Sequence, residues 1–435
     1  MPVLTPLRDT MARFLYTLLF SLLLPFMVLR LLMRAFKAPA YAKRINERFG
    51  LFKLNPAIKP DGMCFHTVSV GEFIAATPLI EQVMQAHSDR QIIITTTTPT
   101  GSAQVQKHFA NELGKRVFHV YLPYDIPLFL NVFFRRLKPR LLVILETELW
   151  PNLIHACHKN NCKVMVANAR LSEKSAKGYA KFSNLSKSML EKIDCLAVQN
   201  KTDGGRFIEV GLPKNNMTVT GSIKFDLNIK PELLVQGQSW REQWGSDRNV
   251  VIVASTHNGE DEIALAAFKE VLKQDKNTLL ILVPRHPERF GQVAKLIAGQ
   301  SLSLVRRSEN SKVNEHTQVL LVDTMGELMQ FLAASDICIM GGSFVPNGGH
   351  NPLEPAALGV PIIMGPSQFN FALICQQLEQ ASGLISLTEK ELSGAVIELL
   401  NNNELRKIKG ESAKKVLDEN RGAKQKVFEL ISEFL

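Results

Sequence analysis

Three acids and a lysine stand where apolar runs end and polar turns begin, which is where a buried sheet presents chemistry. Glu72 closes Ser69-Val70-Gly71-Glu72 after the run Met63–Val68. A carboxylate there faces whatever occupies the strand-end crevice and could take a proton from an attacking hydroxyl. The helix dipole lowers its pKa, so partial desolvation has to restore basicity. An acid in a first helical turn for dipole reasons alone is the plainer meaning. Glu146 and Glu148 follow Leu141–Leu145 in Glu146-Thr147-Glu148-Leu149-Trp150-Pro151. One of two acids so spaced points with the core residues, and a buried carboxylate needs a partner or shifts its pKa upward. Glu146 is a candidate to steer Glu72 or to bind an acceptor; the alternative is a structural pair with a cation such as Arg170. Lys224, in Gly221-Ser222-Ile223-Lys224-Phe225-Asp226, can act as a point charge on a phosphate leaving group. A solvated lysine is its commoner meaning.

A second set lies further along. Arg285, between Pro284 and Pro287 of Val283-Pro284-Arg285-His286-Pro287, is rigidly presented and suits bidentate phosphate binding. In Asp323-Thr324-Met325-Gly326-Glu327-Leu328, Gly326 could offer its amide to a base or phosphate. The longest polar turn is Gly341–Gly359, GGSFVPNGGHNPLEPAALG. Its five glycines let backbone amides come close to a ligand. Asn351, Pro352 and Glu354 fall at the N-cap, N1 and N3 of the helix expected next. That end attracts phosphate, and the Glu354 carboxylate could accept hydrogen bonds from a sugar diol. A capping box of Asn351 and Glu354 is the competing reading. His155, Cys157, His158 and Cys162 fit no zinc spacing, and no Asp-x-Asp pair stands out, so no metal is expected.

The elements that position these residues are legible as alternation. Met63–Val68, Gln91–Thr97, Val117–Leu122, Leu141–Leu145, Lys163–Ala167, Asp194–Val198 and Met217–Thr220 read as strands separated mostly by helical patterns. The alternation restarts at Val250–Ala254, Thr278–Val283, Val319–Val322, Ile337–Met340 and Pro361–Met364. Strands buried on both faces imply parallel sheets covered by helices. The fold class is therefore α/β, with two doubly wound Rossmann-like domains facing a cleft and ligands at the carboxyl ends of the strands. Residues 226–248, polar and holding Pro231, Gly237 and Gly245, are expected as the linker, with Trp240 and Trp244 packing one helical turn against a domain. The expected domains are 37–225 and 249–402, with 403–435 as helices packing back toward the first. A G-x-G-x-x-G fingerprint with its distal acid is missing, which disfavours a nicotinamide or flavin enzyme.

A length of 435 residues suits two domains, and 46% hydrophobic with 21% charged residues is a globular composition. The six cysteines lack framework spacing, which points to a reduced compartment. The net charge of +10 is spread along the chain, and aromatic-paired RNA-binding signatures are absent, so phosphorylated small molecules or an anionic membrane face fit better than nucleic acid. Residues 1–36 are expected as a membrane anchor: Phe14 to Met33 is almost wholly apolar, broken by Pro25 and Arg30. Arg34, Lys37, Lys43, Arg44 and Arg48 follow it, against Arg8 and Arg13 before, which keeps the body cytoplasmic by the positive-inside rule. No small-residue cleavage site ends the run. A signal anchor or a monotopic helix is expected, against the plainer reading of a helix packed on the body.

With these turns in place, the chain closely resembles the 3-deoxy-D-manno-octulosonic acid (Kdo) transferases of Gram-negative bacteria. The motifs are HTVSVGE (66–72), TTTTPTGS (95–102), YLPYD (121–125), ETELWPN (146–152), ANARLS (167–172), GSIKFD (221–226), PRHPERF (284–290), DTMGEL (323–328) and GGHNPLEPAA (348–357). The resemblance implies the GT-B architecture and a metal-independent inverting glycosyltransferase without a cofactor. It implies CMP-Kdo as donor, the lipid A precursor lipid IVA as acceptor, and the cytoplasmic face of the inner membrane as location. By that pattern Glu72 is the general base, and Glu146 and Lys224 stabilise the transition state. Pro284, Arg285, Met325, Gly326, Glu327, Asn351, Pro352, Leu353 and Glu354 match the CMP site. The rival readings are another GT-B transferase or a nucleotide-sugar epimerase, a membrane-bound scaffold that binds a nucleotide sugar without turnover, and, weakest, a nucleic-acid-binding protein.

Overall fold

Apolar runs too continuous to leave one face in water build two parallel sheets. The structure, a computed structural model, describes residues 5–435. The chain divides into two units, Met1–Lys224 with Arg421–Leu435, and Phe225–Asn420. The first contains β1 (Met63–His66), β2 (Ile92–Thr96), β3 (Val117–Tyr121), β4 (Leu141–Leu145), β5 (Lys163–Ala169), β6 (Cys195–Val198) and β7 (Met217–Val219). Its order is β3-β2-β1-β4-β5-β6-β7, and every pairing is parallel. The second contains β8 (Val250–Thr256), β9 (Leu279–Pro284), β10 (Leu304–Arg306), β11 (Val319–Leu321), β12 (Ile337–Met340), β13 (Ile362–Met364) and β14 (Leu384–Ser386). It too is all parallel, ordered β10-β11-β9-β8-β12-β13-β14.

In each sheet the strand order reverses once. The crevice that this opens at the carboxyl ends lies between β1 and β4 in one unit and between β8 and β12 in the other. Apolar side chains pack on both faces: Leu142 and Ile144 on one side of the first sheet, Leu141, Val143 and Leu145 on the other. The edge strands β10 and β14 have no counterpart among the sequence-predicted strands. Each is three residues long and only partly buried, too short for a periodic signal.

Two boundaries differ from the expectation. Within 226–248, Pro231–Trp244 forms a helix of the second unit, where the Trp240 ring stacks on Phe331 at 4.3 Å. Of 403–435, the helix Asn403–Glu419 stays with the second unit, burying Ala413, Val416 and Leu417 in its core. The helix Ala423–Ser432 belongs to the first, with Ala423, Val427 and Ile431 in its core. Two apolar stripes separated by Gly422 allow one terminal segment to serve both cores.

The N-terminal helix runs Thr5–Lys37, straight through Pro25, and Thr10–Phe36 is long and apolar enough to cross a membrane. Its first half is not bare on every side. The Tyr16 hydroxyl donates to Asp125 Oδ2 at 2.9 Å, Thr17 exchanges hydrogen bonds with the Asn152 side chain, and Phe20 meets Trp150 edge-on. Phe14, Leu22 and Phe26 point outward, each about two-thirds exposed.

Candidate active site

Five turns leave the carboxyl ends of β1 to β5, and the β1/β4 crevice holds the acids. Ser69 caps the helix Val70–Ala86, its hydroxyl accepting from the Glu72 amide at 3.3 Å. The Glu72 carboxylate turns back over that helix end: Oε2 accepts from Val68 N at 2.7 Å, and Oε1 from the Ser69 hydroxyl at 3.3 Å. The helix cap and the candidate base are one arrangement, with the carboxylate bonding the amide one residue before the cap. Burial raises the Glu72 pKa to about 7, helped by the charges of Glu146 and Glu148 and opposed by the Val68 and Ser69 hydrogen bonds. Desolvation therefore outweighs these two hydrogen bonds. Near neutral pH this carboxylate is poised to accept a proton.

Glu146 stands at the end of β4 with φ of 60°, in the left-handed region that a non-glycine residue enters at a cost. Its amide bonds Ala167 O at 2.9 Å. One carboxylate oxygen pairs with Lys224 Nζ at 2.6 Å and the other with Arg170 at 3.3 Å. The cation considered from the sequence, Arg170, is thus present, and Lys224 is a second partner the sequence did not assign to Glu146. Lys224 comes from beyond β7, three strands away in the sheet. It is brought in by Asn168, a buried residue also at positive φ, whose Oδ1 accepts from Ile223 N at 3.2 Å. Asn168 lies inside the ANARLS motif, yet nothing in its type or spacing marks that role. Glu148 accepts from Trp150 Nε1 at 3.0 Å, and burial raises its pKa.

The second unit offers a different edge. The strands β11, β9, β8 and β12 are consecutive neighbours, so the turns holding Met325–Glu327, Pro284 and Arg285, His257, and Gly341–Glu354 share one sheet end. Arg285 is exposed, its amide bonded to Thr256 O at 3.0 Å. Its charge reaches His257, His350 and Glu354. His257 Nε2 and His350 Nε2 lie 2.8 Å apart. Burial, then Arg285 and the neighbouring imidazoles, push His350 down to about 3; burial and His286 lower His257. The pair is neutral at working pH, one ring donating to the other. Burial raises Glu354, opposed by the Asn351 amide, 3.4 Å away, and by Arg285. Met325–Glu327 lie at β11, three strands along from β12, roughly 14 Å at ordinary strand spacing. There burial raises Glu327, but Arg307 and Thr324 hydrogen bonds outweigh it and hold its pKa low. Met325 is exposed, and Gly326 sits at φ of 93°.

The glycine turn departs from the expectation. Its glycines admit other parts of the chain: a Cβ at Gly341 would lie 2.5 Å from Ser255 O, and one at Gly348 as close to the Phe369 ring. Many of its amides are already engaged. Gly342 N and Phe344 N donate to Glu260 at 2.7 and 2.9 Å, Gly348 N to Ser367, and Gly349 N and His350 N to Gly342 O and Gly341 O. The helix that follows is only five residues, Leu353–Ala357, with Pro352 at its N-cap and Asn351 Oδ1 accepting from Leu353 N at 3.2 Å. So short a helix has little macrodipole, and the exposed cation of the neighbouring turns is the Arg285 side chain. Glu260, like Asn168, escaped the sequence reading. It is buried, also accepts from His257 N at 2.9 Å, and so ties the β8 turn to the β12 turn. An acid opening a helix after glycine is its one sequence signal, and dipole complementarity explains that equally well.

Residues 43–227 match the family described as 3-Deoxy-D-manno-octulosonic-acid transferase (kdotransferase), and residues 240–416 match Glycosyl transferases group 1. A 3-deoxy-D-manno-octulosonic acid transferase of Haemophilus influenzae is 43% identical over 427 residues, covering 98% of this chain and 99% of the relative. Another of Bordetella pertussis is 35% identical over 311 residues, covering 70% and 71%. UDP-GlcNAc 2-epimerase of Neisseria meningitidis, solved bound to UDP-GlcNAc, superposes with a TM-score of 0.56 over 86% of this chain and all of its own, at 14% identity. That likeness shows the two-sheet GT-B-like fold alone, since one fold serves many chemistries. Sequence decides between them: at 43% identity over nearly its full length, the chain belongs to the 3-deoxy-D-manno-octulosonic acid (Kdo) transferases.

Proposed function

We propose that this Kdo transferase moves Kdo from CMP-Kdo to the tetraacyldisaccharide 4'-phosphate lipid A precursor, lipid IVA, with inversion and release of CMP. The observation that carries the reading is Glu72: a half-buried carboxylate at the β1/β4 crevice, its pKa raised to about 7, beside the Glu146–Lys224 pair. Glu72 takes the proton of the acceptor hydroxyl as that oxygen forms its bond to the anomeric carbon. The bond from that carbon to the CMP phosphate breaks on the opposite face, which gives inversion in one displacement. Lys224, held by Glu146, and Arg285 supply positive charge to the departing phosphate. Glu354 and Asn351 hold the ribose, and Pro284, Met325, Gly326, Glu327, Pro352 and Leu353 shape the rest of the CMP site. Side chains alone supply these roles, so transfer proceeds without a metal.

The apolar helix Thr10–Phe36, followed by Lys43, Arg44 and Arg48, supports an inner-membrane location with the body on the cytoplasmic side. An amphiphilic acceptor gives that anchor a purpose. Purified protein incubated with CMP-Kdo and lipid IVA in EDTA should release CMP and give a heavier glycolipid, whose mass counts the Kdo residues added. Failure of wild type to release CMP, or equal release by Glu72→Ala, sinks the assignment.

A further inference from the structure

An apolar cavity of about 860 Å³ lies inside the first unit, between the N-terminal helix and the helices Glu173–Lys181 and Ser183–Leu190. Tyr16, Leu19, Trp150, Gly178, Tyr179 and Phe182 line it. Its size falls within the range of sites that enclose a small ligand. Leu19 and Phe182 remain more than half exposed at its wall, an arrangement that calls for cover.

Its position says what covers it. Leu149 and Trp150 of the wall directly follow Glu148, and Trp150 donates to the Glu148 carboxylate at 3.0 Å. Burial raises both Tyr179 on the cavity side and Glu72 in the crevice, and the charge of Glu148 adds to each. The cavity wall thus begins one residue beyond the acid turn and is hydrogen-bonded to it through Trp150, and Lys181 in its lining offers a cation to a phosphorylated head. We propose that it receives one acyl chain of the acceptor while the sugar head lies at Glu72. This rests on the amphiphilic acceptor proposed above. The anchor helix then has a second role, since Tyr16 and Leu19 form one wall.

The test uses the full chain without detergent, CMP-Kdo, and two acceptors: a short-acyl phosphorylated glucosamine disaccharide below its micellar concentration, and its acyl-free counterpart. Wild type should prefer the acylated form by about tenfold or more in kcat/KM, the equivalent of about two buried methylenes. Gly178→Trp fills the cavity from a position where an added Cβ meets nothing within 4 Å. It should bring the two acceptors to within about twofold. No preference in wild type, or an unchanged preference in the variant, overturns the proposal; transfer to neither acceptor strikes the transferase reading instead. Fluorescence covers a variant that misfolds. A bromine-labelled acyl chain on the same disaccharide should quench wild type, and Trp150→Phe should lose that quenching. No quenching, or equal quenching by a brominated phospholipid, also overturns it.

Discussion

The two crevices, β1/β4 and β8/β12, arise from the same topology and carry opposite chemistry. The first concentrates charge: Glu72, Glu146 and Glu148 with Lys224 and Arg170, held so that Glu72 stays protonatable near pH 7. The second suppresses it: burial lowers the pKa of His257 and His350, the glycine turn spends its amides on Glu260, and Arg285 stands exposed at the end of the neighbouring β9. Parallel sheets fix where a ligand lies; the turns alone decide whether the site moves a proton or holds an anion.

The largest effect should come from the charged crevice. Glu72→Gln keeps an acceptor for Val68 N but cannot take a proton, and kcat should fall by about 10²- to 10⁴-fold. A variant retaining most of its turnover would break the contrast outright. Next, Lys224→Met leaves Glu146 with Arg170 and should lower kcat by about 10²- to 10³-fold with donor KM little changed. A change confined to KM would move Lys224 from transition-state to ground-state binding.

The pH profile gives a smaller, graded effect. The kcat/KM for acceptor should rise about tenfold per unit up to an acidic limb near 7, the value burial gives Glu72, and that limb should vanish in Glu72→Gln. The same shift has a stability consequence. A carboxyl raised in the folded state lends stability that is complete below its ordinary value of 4.5 and is lost as pH rises through about 7. Glu72→Gln should therefore melt above wild type at pH 8, and a lower Tm there would contradict the desolvation argument.

The neutral crevice should respond most mildly in turnover. Glu260→Gln replaces a charged acceptor of three amides, from His257, Gly342 and Phe344. It should raise donor KM by roughly tenfold and destabilise by about 1–3 kcal/mol, since charge-assisted bonds are the stronger ones. An acceptor KM that rises instead would assign the glycine turn to the wrong substrate.

Much of this was legible in the chain because parallel strands buried on both faces betray themselves as apolar runs. Leu141–Leu145 and Ile337–Met340 coincide with the observed strands residue for residue. The acids Glu72 and Glu146 were visible because they end such runs. Glu260 and Asn168 were not, for their bonds to Phe344 N and Ile223 N span 84 and 55 residues of sequence and no local pattern encodes them. The division of 403–435 between units was hidden for the same reason: both halves are amphipathic helices, and only the surface available to each separates them.

Consecutive residues encode the alternating elements, the strand-end turns and the motif set of the Kdo transferases, because burial and turn chemistry are local properties of the chain. Tertiary structure alone decided three further things. It raised the Glu72 pKa by withdrawing water from the carboxylate, delivered Lys224 to Glu146 across three strands, and showed the glycines admitting the chain's own backbone and side chains. Desolvation, cross-strand pairing and close backbone approach depend on neighbours distant in sequence, and those neighbours exist only once the sheets have formed.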